Sequence, residues 1–314
     1  MNHVVSRLFA AALAASAFTA AGQPAPAAKA PAAAAPAVAQ PFKDVGLWYG
    51  VFGTTICSWF DAGDGVFLVD AGSSAADAKA LRAEIAKTTK NKPVKWIAMT
   101  HLHTDSNEGL AAFFPADITI FVNARSAATL AEFAGRQKSP APNVVGVGDR
   151  VVLAVGKLRL EIGVPPANAH TSSDLYVFDA VTRTAFVGDL VTPDRCPMLS
   201  DPDSDIKGWI AALDRLDALK PVGLVGSRGN PTPEAAPAIA QTRQYLTSLL
   251  QFLTAKRKQN APEARVSGEL AGEKIGDYCP RELSTLNALS VYRRIAADGS
   301  TAPGSAVPPK TAPK

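Results

Sequence analysis

Three cysteines and four histidines are all that the 314 residues offer to thiolate or imidazole chemistry. Three Cys cannot staple a chain of this length, so a scaffold built on disulfides is excluded. Charge of one sign is missing too. With 32 Lys and Arg against 28 Asp and Glu the net charge is only +4, and no basic cluster is interleaved with aromatics, which argues against nucleic acid as a partner. Beyond residue 21 no apolar run reaches the roughly 18 positions of a membrane-spanning helix. What the chain does hold is 47% hydrophobic residues with 13 Phe and 4 Trp, enough for one substantial core or two modest ones, which excludes wholesale disorder.

The first 21 residues combine Arg7 with an apolar, Ala-rich run that contains Leu8, Phe9, Leu13 and Phe18. This pattern predicts a secretory signal and hence a periplasmic or secreted protein. Residues 22–40 are almost wholly Ala and Pro, which reads as a semi-rigid linker. In an oxidising compartment the three thiols divide by context. Cys57 sits in an apolar strand pattern and reads as a buried hydrophobe. Cys196 and Cys279, each followed by Pro in a loop, form a candidate disulfide.

Between residues 41 and 297 short β-rich runs alternate with helical periods. Predicted strands cover 47–52, 55–60, 66–70, 94–99, 118–122, 150–155, 158–162, 175–179, 184–187 and 222–225. Predicted helices cover 75–88, 126–134, 208–219, 235–258 and 282–297, with apolar residues recurring at three and four, as in Ala78, Leu81 and Ile85. Such a sequence of elements predicts an α/β domain of sheets covered by helices on their outer faces. Residues 298–314 turn Pro-, Ala- and Lys-rich and read as a disordered tail. The aromatics Trp48, Tyr49 and Phe52 fit either a core or a hairpin at the mouth of a site.

With His3 assigned to the signal, three histidines await explanation. Two stand in Thr100-His101-Leu102-His103-Thr104-Asp105-Ser106, directly after the apolar run 94–99, and His170 lies in a Pro-rich loop before the run 175–179. Side chains at i and i+2 of an extended segment point the same way, so His101 and His103 can address one point. A third neutral imidazole from His170 completes a set that leaves one tetrahedral position of a zinc ion open to water, as in catalytic sites. Zinc lowers the pKa of that water toward neutrality, and Asp105 is placed to orient it or accept its proton. Asp201, Asp203 and Asp205 lack the Gly and Glu of a calcium loop and read as a solvated acidic turn. Ser172 and Ser173 beside His170 have no spare imidazole to act as their base.

In these motifs the sequence resembles the metallo-β-lactamase fold superfamily of metallohydrolases. Its pattern of His-x-His-x-Asp-His, a lone His, Gly-Asp and Gly-His-Gly is matched in order by His101, His103, Asp105, His170 and Gly188-Asp189. Asp70, in Leu68-Val69-Asp70-Ala71-Gly72, matches the strand-end Asp that supports the metal from behind its ligands. The resemblance implies a four-layered αβ/βα sandwich with the metal at the edge between two sheets. It also exposes two departures. Ser106 replaces the second-site His after the Asp, and Gly226-Ser227-Arg228-Gly229 replaces Gly-His-Gly. What carries over is one firmly held zinc on His101, His103 and His170, with Asp189 and Asp105 left at a depleted second position. Two carboxylates left together need a cation or a proton. Arg228 is the candidate cation, against the alternative of an arginine facing solvent.

Three functions follow as expectations. The first is an exported hydrolase using zinc-bound hydroxide on an activated carbonyl of a small molecule: an ester, thioester, lactone or β-lactam. The second is a mononuclear iron dioxygenase, since in the persulfide dioxygenase branch the counterparts of His101, His170 and Asp189 hold one iron. The third is a non-catalytic binding homologue. Substrate and oligomeric state are left open.

Overall fold

Alternation along the strands decides the architecture. In the computed structural model, which describes residues 42, 44–50, 55–114, 117–136, 142–273, 275–276, 278–296 and 298–300, strand β2 (Ile56–Asp61) sends Ile56 and Phe60 to one side and Cys57 and Trp59 to the other. Strand β3 (Val66–Val69) repeats the division with Phe67 and Val69 against Val66 and Leu68, and β4 (Val94–Ala98) with Trp96 and Ala98 against Ile97. A strand buried on both faces must be covered twice. One cover is a second sheet and the other is helical.

The first sheet runs in the order β1-β2-β3-β4-β5-β6, where β1 is Val45–Tyr49, β5 Thr119–Asn123 and β6 Asn143–Val147. Strands β3 to β6 are parallel. The second runs β11-β10-β9-β8-β7, built from β7 (Arg150–Val155), β8 (Leu158–Gly163), β9 (Tyr176–Asp179), β10 (Thr184–Gly188) and β11 (Gly223–Gly226). Leu160, Ile162, Val177 and Phe186 of the second sheet share a core with Phe60, Phe67 and Phe121 of the first. The rings of Phe60 and Phe186 meet edge to face across it at 5.0 Å.

Helix α1 (Ala75–Thr89) and helix α3 (Ala127–Arg136) cover the outer face of the first sheet through Ala78, Leu81, Ile85 and Leu130. Ser74 starts α1 by accepting from the Asp77 amide. On the outer face of the second sheet, α4 (Ile206–Ala218), α5 (Ala235–Lys258), α6 (Glu263–Leu270) and α7 (Arg281–Tyr292) bury Trp209, Leu246, Val266 and Val291 against Ala185 and Val187. Three cores between four layers make the expected αβ/βα sandwich. Each fully buried Leu or Phe in them contributes about 1.5–3 kcal/mol over the exposed state.

Departures from the sequence expectations are local. Strand β6 was not predicted, because a half-exposed edge strand interrupted by Gly146 carries little periodicity. Nor was α6, whose buried stripe is only Val266 and Leu270. Trp48 and Tyr49 resolve as core, packed on opposite faces of β1, while Phe52 lies outside the described residues. Asp298–Ser300, assigned from sequence to the tail, are held back on the domain: Lys207 donates to the Asp298 carbonyl at 3.2 Å and Ala296 to that of Ser300 at 2.7 Å. The proposed signal and linker, and residues 301–314, lie outside the described residues. No helix among the described residues is long and apolar enough to cross a membrane.

Candidate metal centre

The carboxyl ends of the parallel strands converge at one edge of the sandwich, the place where open α/β sheets present their ligands. Strand β4 leads through Thr100 to His101. His103 sits just ahead of the one-turn helix α2 (Thr104–Asn107). Strand β3 ends at Asp70, held at a φ of +61°, and β10 runs through Gly188 into Asp189. Strand β11 leads to Ser227 and Arg228, and His170 descends from the connection between β8 and β9. The three imidazole centroids stand 4.9, 4.9 and 5.0 Å apart, with every pair of rings steeply inclined. One ligand atom from each of His101, His103, His170 and Asp189 falls within 4.8 Å of every other.

Each ring is oriented from behind. Thr100 hydroxyl donates to Asp70 at 2.8 Å and lies 3.0 Å from Nδ1 of His101, so the proton of that ring belongs on Nδ1 and its Nε2 lone pair points inward. Nε2 of His101 is buried and hydrogen-bonds to no described atom. For His103 the arrangement is reversed: Nε2 meets Asp201 at 3.0 Å, leaving Nδ1 for the centre. Nδ1 of His170 faces Asp174 at 3.5 Å, and its ring packs edge-on against buried Trp209 at 5.3 Å. Gly188 is required by this geometry. At a φ of +57° a side chain is strained, and a Cβ there would lie 2.6 Å from the Thr100 side chain that orients His101.

Electrostatics separates the groups. Burial pushes the His101 pKa well below the ordinary imidazole range. At His170 burial acts the same way, but Asp174 and Asp189 outweigh it and raise the ring to about 9. The opposite shifts in one cluster follow from where the carboxylates stand: Asp189 lies 3.7 Å from Nε2 of His170 and 4.0 Å from that of His101, and of these two rings His170 has a further carboxylate, Asp174, directly behind it. Asp189 is itself held below the usual carboxylate range, burial being overcome by His170, His101 and Arg228. Asp70 goes the other way, raised to about 7 by burial against the Thr100 hydrogen bonds.

Arg228 faces the site, not solvent. Its Nη2 donates to Asp105, and its Nε stands 3.3 Å from Asp189, so one guanidinium spans two carboxylates. Ser227 and Ser106 are both buried; the Ser227 hydroxyl reaches Asp70 at 3.5 Å, while that of Ser106 has no hydrogen-bond partner among the described residues. The reading of Asp201, Asp203 and Asp205 as a solvated acidic turn is corrected. Asp201 holds His103, Asp203 accepts from the Ser172 amide at 2.8 Å, and Asp205 caps α4 through the Lys207 and Gly208 amides. Arg294 braces this loop by donating to the carbonyls of Leu199, Asp201, Pro202 and Ser204. Thr100, Asp174, Asp201 and Trp209 are the site residues that sequence reasoning missed. Thr100 alone carried a signal, standing between the strand and the first His.

Cys196 and Cys279 are joined, closing an 83-residue separation, and Cys57 is buried and free. Ser173 is occupied structurally, its hydroxyl accepting from the Leu102 amide at 3.1 Å.

The donor set fits a metal ion. Three imidazole nitrogens, each ring with a partner behind it, and one buried carboxylate oxygen are the ligand chemistry of zinc or ferrous iron. The profile of the metallo-beta-lactamase superfamily matches residues 51–226. Among solved structures, a metallo-beta-lactamase from Pontibacter korlensis is 24% identical over 62% of this chain and 87% of its own, with a TM-score of 0.51. The inverting sec-alkylsulfatase Pisa1 from a Pseudomonas species has a TM-score of 0.63 at 16% identity, over 77% of this chain and 47% of its own. No curated protein matches the sequence.

Proposed function

The chain belongs to the metallo-beta-lactamase superfamily, and from that premise we propose that it is an exported hydrolase holding one zinc ion on His101, His103 and His170, with Asp189 beside them at the depleted second position, and cleaving an ester, thioester, lactone or β-lactam. The observation that carries this is the inward convergence of three imidazoles, with a buried Nε2 of His101 that hydrogen-bonds to no described atom. A zinc ion held by these rings would supply Lewis acidity toward a carbonyl and toward water.

The chain's own residues set the rest. Thr100 and Asp201 fix the tautomers of His101 and His103, so that the inward nitrogens carry lone pairs. Asp105, paired with the Arg228 guanidinium, accepts a hydrogen bond from an attacking water and orients it. Arg228 stands in the place of a second cation. It neutralises Asp105 and Asp189, and its positive charge stabilises the oxygen that gains charge as a carbonyl is attacked.

The trio His101, His170 and Asp189 is also a two-His-one-carboxylate set, which favours the iron reading second. One experiment separates them. Protein purified without added metal is assayed for zinc and iron, for hydrolysis of a panel of esters, thioesters, lactones and β-lactams, and for oxygen uptake with a persulfide. One zinc per chain, with hydrolysis lost in His170→Ala, is expected. One iron per chain with oxygen uptake overturns the hydrolase.

A further inference from the structure

A cavity of about 360 Å³ opens against the candidate metal centre, with Asp189 and Arg228 on one side. Thr192, Asp194 and Arg195 of the loop after β10 add polar lining, and the apolar wall is Met198 of that loop with Tyr278, Pro280 and Leu283 from the approach to α7 and its first turn. Those last three lie beyond residue 226, where the match to the family profile ends. This wall is therefore supplied by the chain's own C-terminal segment.

The two halves of the cavity are fastened together. The Cys196–Cys279 disulfide joins the loop to the segment before α7. Buried Asn287 of α7 then grips the same loop twice, accepting from the Leu199 amide at 2.9 Å and donating to the Pro197 carbonyl at 2.7 Å. A pocket held this way is formed before its ligand arrives, which reduces the ordering cost of binding. Its volume lies at the low end of the range for small-molecule sites. The charges around it offset one another. Asp189 pairs with Arg228, and exposed Asp194 and Arg195 are adjacent residues of opposite sign. Nothing selects an ionic tail, whereas Met198, Tyr278, Pro280 and Leu283 select an apolar one.

We propose that this cavity is the acyl pocket of the enzyme, taking an uncharged alkyl or aryl arm whose carbonyl then lies at the metal centre. This rests on the zinc hydrolase reading and deepens it, placing the substrates among esters or thioesters of medium-chain or aryl acids.

The test uses alkyl hydroxamic acids, whose head group chelates zinc, as inhibitors of the zinc-loaded chain. The octanohydroxamate must bind at least about 50-fold more tightly than the acetohydroxamate, since burial strengthens binding roughly fourfold per methylene and about half of the added methylenes reach that factor. In Leu283→Trp, which fills the cavity, that ratio falls toward one, while in Leu286→Trp, on the exposed side of the same helix, it is retained. A ratio near one in the parent chain, or an unchanged ratio in Leu283→Trp, overturns the pocket. If the chain holds no zinc, the hydrolase reading falls and the pocket is judged separately from crystals soaked in 1-octanol. An alkyl chain between Met198 and Leu283 supports it, and a chain absent from that space overturns it.

Discussion

Nε of Arg228 stands 3.3 Å from Oδ2 of Asp189, while its Nη2 reaches Asp105, so a side chain takes the role of a second cation. The relation explains how Ser106 and Ser227 are tolerated where a two-metal site needs imidazoles. Without Arg228 the two carboxylates would repel each other near a buried cluster. The triple variant Ser106→His, Ser227→His, Arg228→Ala is expected to take up two metal equivalents per chain, against one for the parent, as read by metal analysis after gel filtration. Two equivalents already in the parent would contradict this account of Arg228.

The hydroxyl of Thr100 links Asp70 to the ring of His101. Removing such a partner typically costs 10–100-fold in metal affinity. Thr100→Val preserves shape and is expected to weaken zinc binding by about that factor in a chelator competition, with secondary structure unchanged. An unaltered affinity would show that the ring is oriented by packing alone.

Zinc uptake is expected to depend on pH through His170. Asp174 and Asp189 raise this ring to about 9, so near neutral pH it carries a proton that must leave before it can ligate. Binding at pH 7.5 then releases about one proton, and affinity rises with pH up to about 9. The same raised pKa means that the stability His170 lends the metal-free chain is fully present below about pH 6.5 and is lost as pH climbs through 9. Calorimetry in buffers of different ionisation enthalpy reads the proton count. A count of zero would contradict the placement of that charge.

The disulfide between Cys196 and Cys279 closes a loop of 83 residues. Cross-links of that span typically stabilise by about 2–4 kcal/mol. Cys279→Ser is expected to lower the unfolding free energy by that amount in a denaturant titration. Reductant should have the same effect on the parent and none on the variant.

Much of this was legible in the sequence for physical reasons. His101 and His103 declare themselves because an i, i+2 pair after an apolar run has few structural uses. Gly188 before Asp189 marks a backbone turn that a side chain would obstruct. The strands buried on both faces read as near-continuous apolar runs, as at Val66–Val69. What escaped were residues whose role exists only in three dimensions. Asp201 is 98 positions from the His103 it holds, and nothing local distinguishes it from Asp203 or Asp205. Asn287, in an ordinary amphipathic helix, and Arg294, in the turn that follows it, likewise carry no signal until the fold brings them onto the loop at 197–204.

The most direct test is anomalous diffraction at the zinc and iron edges on crystals of the native protein. The account predicts a single peak at the zinc edge, within bonding distance of Nε2 of His101, Nδ1 of His103 and Nε2 of His170. A peak held by other residues, two peaks, or none would contradict it.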